Sequence, residues 1–122
     1  MDIADTLLPI LRTEAVKMQL QLAALSTERR QDTVLGTLIY DEIDTKVFMD
    51  RVKVGINQVA AVRTVDELRT LLHDWNVQRG AIQYAGYGWG KEHATNKGSA
   101  YALVFLHRTV KRTPAITTLL RR

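Results

Sequence analysis

Leu8, Leu11, Ala15, Met18, Leu22 and Leu25 follow one another at steps of three and four residues. A strand alternates its faces with period two, so it would scatter this set over both sides. A helix gathers it into one seam, sustained here for about two and a half heptads. The spacing predicts a helix from Asp5 to Leu25, with Asp5 or Thr6 as its cap and Pro9 tolerable only near the first turn. Leu7, Ile10 and Leu20 widen the apolar face beyond a strict seam. A face this wide serves a core within the chain or a second copy of it. Self-association through Leu8–Leu25 is the resulting expectation.

The remaining segments predict further helices, with one open alternative. Ser26–Asp32 is a polar break. Phe48, Val52, Ile56, Val59 and Val62 fall at steps of four, four, three and three, with Asp44 as a natural cap, which favours a helix. Within the same stretch Val52–Asn57 alternates apolar and polar residues and is rich in β-branched types. A hairpin pairing Val34–Tyr40 with Val47–Ile56 around Asp41–Asp44 therefore stays in play. Thr64 and Glu67 form a capping box, two acids occupy the first turn, and Gly80 supplies a stop, so a helix is predicted over Thr64–Arg79. Its apolar stripe is Leu68, Leu71, Leu72 and Trp75.

Ser99–Arg112 is apolar for six residues from Tyr101 and then basic. As a helix it buries Ala100, Leu103, Val104 and either Leu106 or His107, and presents Arg108, Lys111 and Arg112 near its C-terminus, where the dipole favours cations. As a strand it pairs with Ala81–Trp89. Pro114 ends it in either case. Ile116, Leu119 and Leu120 then need an apolar surface, which a neighbouring copy could supply. The expected fold is mainly α: a single small helical domain over residues 1–122, with a Gly/aromatic-rich loop or hairpin near 80–100. An α+β fold with one or two hairpins is the alternative.

That Gly/aromatic stretch, Arg79–Tyr101, holds five of the seven glycines, three of the four tyrosines and one of the two tryptophans. Glycine permits sharp turns and close approach, and Tyr and Trp bring flat faces with a polar handle. Charge changes at the same place. Residues 1–78 hold 9 Lys/Arg against 12 Asp/Glu, a net of −3, and residues 79–122 hold 8 against Glu92 alone, a net of +7. Positive charge gathered at one end is the electrostatic footprint of a polyanion partner, or of pairing with the acidic half of another subunit.

Catalytic patterns fail on inspection. A phosphate loop needs a glycine five before the last and Ser or Thr after the lysine, but those places hold Ala85 and Glu92. Gly86, Gly88 and Gly90 give GxGxG rather than GxGxxG. His73, His93 and His107 contain no i, i+4 pair for a metal, and the absence of cysteine removes thiolate sites and disulfides. Asp41, Glu42 and Asp44 fit a solvated turn or a cap. No metal, no cofactor and no enzymatic activity are expected. No apolar run approaches the ~20 residues of a membrane span. The start is acidic before its apolar part, unlike a secretory signal, so a cytoplasmic location in a bacterial or phage-infected cell is the expectation.

What remains is binding. Single-stranded nucleic acid is held by a basic groove for phosphates and aromatic faces for bases. Arg79, Tyr84, Tyr87, Trp89, Lys91, His93, Lys97 and Tyr101 supply both kinds of group, and Arg108, Lys111 and Arg112 extend the phosphate track. The expected function is a small basic protein that binds single-stranded DNA or RNA, in preference to duplex and with little sequence specificity, as a homo-oligomer. The alternative is a protein-interaction or assembly module, an adaptor or an inhibitor of a larger enzyme, with no nucleic-acid binding.

Overall fold

Asp2 starts the first helix. Its Oδ1 accepts from the Ala4 N–H at 2.9 Å and from the Asp5 N–H at 3.3 Å, satisfying donors that have no partner inside the helix. The cap therefore lies ahead of the expected Asp5 or Thr6, and α1 spans Ile3–Ala24 with Pro9 inside it. The protein is seen here in a computed structural model that describes residues 2–24, 44–85 and 91–121. Among those residues five helices and no strand are present. The others are α2 (Thr45–Ala60), α3 (Val65–Ala85), α4 (Lys91–Lys111) and α5 (Pro114–Leu120).

The α1 seam turns inward. Leu11, Ala15, Met18 and Leu22 are buried within their own chain, joined by Ile3 and Leu7. Leu8 is half-buried, Ile10 lies at the margin, and Leu20 is 67% exposed, as is Val16 at 56%. The seam thus serves the intrachain core, and Leu20 does not extend it. Leu25, Ser26–Asp32 and Val34–Tyr40 lie outside the described residues.

Asp44 caps α2, with Oδ1 accepting from the Val47 N–H at 3.1 Å. Phe48, Val52 and Val59 are buried on one face and Val62 continues it. The hairpin partner Val47–Ile56 is thus helical, because a stripe at helical spacing buries more apolar surface than the short alternating run. Thr64 and Glu67 close the next helix start: the Glu67 N–H donates to Thr64 Oγ1 at 3.1 Å, and that hydroxyl donates to Glu67 Oε1 at 3.1 Å. Gly80 does not stop α3, which runs on to Ala85 and half-buries Ile82 against the core. Ala81–Ala85 is helical, so the hairpin of this segment with Ser99–Arg112 is also replaced by two helices.

Helix α4 is the centre of the packing. It touches all four other helices, most extensively α2. Ala100, Leu103 and Leu106 are buried on it as expected, while Val104 and His107 are half-buried. Phe105 meets Phe48 of α2 with ring centroids 5.9 Å apart and planes tilted by 57°, a favoured aromatic geometry. Trp75 of α3 is fully buried and donates its indole N–H to Gln58 Oε1 at 2.9 Å. About two turns back along α2 and one turn on along α3, Arg51 Nη2 donates to Gln78 Oε1 at 2.6 Å. Pro114 opens α5, whose Ile116 is fully buried and whose Leu119 and Leu120 pack on the same core. The C-terminal apolar residues find their surface inside the chain, with no neighbouring copy needed.

Candidate functional site

The last turn of α4 carries Arg108 and Lys111, and Arg112 follows directly after the helix. Lys111 and Arg112 are exposed and Arg108 is half-buried. Apolar residues on the inner face of the helix force these positions outward, and the negative end of the helix dipole favours cations there. His107 stands among them, half-buried, with Nε2 at 3.2 Å from Asn76 Nδ2 of α3. In the tautomer protonated on Nδ1, the unprotonated Nε2 accepts from the Asn76 amide. Burial lowers the His107 pKa from the ordinary imidazole value, and the positive charges of Lys111 and Arg79 lower it further. The imidazole therefore registers cations from two helices, Arg79 from α3 and Lys111 from α4. Tyr84 lies one and a half helical turns beyond Arg79 and is 95% exposed.

Other residues of the expected contact set have different places. Lys97 is 3% exposed and Tyr101 is 8% exposed. Both face inward from α4, so neither offers a surface to a ligand. Tyr87 and Trp89 lie outside the described residues. The backbone of Lys91 and His93 belongs to the first turn of α4, and their side chains are outside the description. The structure thus brings Arg79, Lys111 and His107 into one electrostatic neighbourhood, with Arg108 and Arg112 on the same helix end.

Gly98 is buried alongside Lys97 and Tyr101. A Cβ at this position would sit 2.6 Å from the Asp44 carbonyl oxygen and 3.4 Å from the Phe48 nitrogen. The start of α2 lies directly on α4 here, and the Asp44 N–H donates to the Ala94 carbonyl at 3.0 Å. Glycine serves close helix packing at this point. Asn76 and His107 are the members of the neighbourhood that the sequence did not single out. Cross-helix pairing leaves no local signal, although the i, i+4 spacing of His107 with Lys111 and Arg108 with Arg112 is visible.

None of the described helices is long and apolar enough to cross a membrane. No family model, no curated protein and no solved structure matches this chain.

Proposed function

We propose that the chain is a small non-enzymatic protein that binds single-stranded nucleic acid with little sequence preference. The observation that carries this reading is the cation set at the end of α4, beside which His107 meets Asn76 of α3, three residues before Arg79. Arg79, Arg108, Lys111 and Arg112 take phosphates, and exposed Tyr84 offers a face for a base. Tyr87, Trp89, Lys91 and His93 belong to the proposed contact set on their residue types and their sequence position after Tyr84. Lys97 and Tyr101 leave the contact set because they are interior. Self-association through α1 uses its outer side, where Val16 and Leu20 are exposed, since the inner seam is occupied.

The test is a titration of labelled oligo-dT and of a duplex of equal length at two salt concentrations. Oligo-dT is expected to bind more tightly, with affinity falling as salt rises. Replacing Arg108, Lys111 and Arg112 together by Gln reduces the magnitude of the log–log salt slope by about 2, at ~0.7 per single-strand phosphate contact. Absence of binding at low salt, or affinity indifferent to salt, rules the reading out.

A further inference from the structure

Met18 of α1, Phe105 of α4 and Pro114 line a groove of about 480 Å³ between α1 and the end of α4. Small-molecule sites commonly occupy ~300–1,000 Å³. Ile10, 36% exposed, adds to the apolar lining, and Arg108 and Arg112 contribute from one face of α4. Two threonines in the lining have their protons committed elsewhere: Thr109 donates to the Phe105 carbonyl at 2.8 Å and Thr113 to the Thr109 carbonyl at 3.0 Å. Among the described lining residues the positive charges are the guanidinium groups of Arg108 and Arg112. Among the described residues Glu14 is the one acid in the lining, and it lies 3.4 Å from Lys17.

We propose that this groove binds a small amphipathic monoanion, a single-chain carboxylate. The apolar residues accept its hydrocarbon chain and the arginines its head. Arginine suits a carboxylate because its planar fork can donate two parallel hydrogen bonds. The negative end of the α4 dipole opposes an anion here, but its roughly half charge is outweighed by two full positive charges. Glu14, in the same lining, repels the head. The site shares Arg108 and Arg112 with the proposed phosphate track and differs from it in requiring the apolar lining.

The experiment titrates the full chain with octanoate and decanoate below micellar concentrations, following backbone amides by NMR and heat by calorimetry. Octan-1-ol and inorganic phosphate serve as the apolar-only and anion-only probes. Shifts are expected at Gln21, Thr109 and Thr113, with decanoate binding up to about fifteenfold more tightly than octanoate, at about fourfold per buried methylene. Octan-1-ol and phosphate are expected to bind at least fivefold more weakly than octanoate. Arg112→Gln should weaken decanoate at least fivefold, and Glu14→Gln should strengthen it. Shifts confined to other amides, octan-1-ol equal to octanoate, or decanoate affinity unchanged in both variants would overturn the proposal.

Discussion

Gly80 and Gly98 come from one glycine- and aromatic-rich stretch, yet the fold uses them in opposite ways. Gly80 sits inside α3 on an exposed surface, and a Cβ there would meet nothing within 4 Å. Gly98 is buried in α4 beneath the backbone that begins α2. The same contrast extends to their neighbours. Tyr84, shortly after Gly80, is almost fully exposed, and Tyr101, shortly after Gly98, is buried with Lys97. Composition marks the stretch as unusual, but only the helix face decides whether a residue meets water, backbone or ligand.

The largest effect is expected at the buried glycine. Gly98→Ala places a methyl against the Asp44 carbonyl, a backbone atom held by its own hydrogen bonds. A flexible side chain could swing away, but here two helices must separate. Overpacking of this kind is expected to destabilise by about 2–3 kcal/mol. For a domain of this size that lowers the melting temperature by roughly 10 °C. Thermal unfolding followed by circular dichroism checks it, and a melting temperature equal to that of the parent chain would show that α2 and α4 do not meet so closely.

The exposed glycine gives the opposite sign and a smaller size. Gly80→Ala fills empty space on a helix interior position and removes backbone freedom from the unfolded chain. It is expected to stabilise by about 0.5–1 kcal/mol. Loss of stability in Gly80→Ala would mean that α3 does not continue through this residue. Taken together, the two substitutions ask whether one sequence stretch contains both a packing glycine and a dispensable one.

Much of the helical fold was legible because its signals are local and periodic. The Asp44 cap, the Thr64–Glu67 box, Trp75 in the α3 stripe and Pro114 as a boundary all act within a turn or two. Gly80 misleads as a stop because tertiary burial of Ile82 offsets the modest cost of a glycine within a helix. The inward turn of the α1 seam was open from periodicity alone, since the same spacing suits a core or a partner. Of the expected contact residues, those at the end of α4 follow from a basic run after an apolar one. Lys97 and Tyr101 could not be placed, because burial on α4 is decided by contacts between residues far apart in sequence, as the approach of Asp44 to Gly98 illustrates. His107 and Arg79 share a field for the same non-local reason.

The smallest effect tests that shared field. His107 in the folded chain holds its proton less well than an unfolded imidazole, first because it is half-buried and then because Lys111 and Arg79 repel the charged form. Above the unfolded value both states are neutral at this residue, so it adds no pH dependence. As pH falls from about 6.5, the unfolded chain takes up a proton before the folded one does, and stability declines. The decline ends once pH is below the lowered folded value, where both states are protonated. NMR titration of the His107 ring should place its midpoint below the ordinary imidazole value. Arg79→Gln should move the His107 midpoint upward, because one of the opposing charges is gone. A midpoint that ignores Arg79 would separate the α3 cation from the α4 end, and the proposed phosphate track would shrink to Arg108, Lys111 and Arg112.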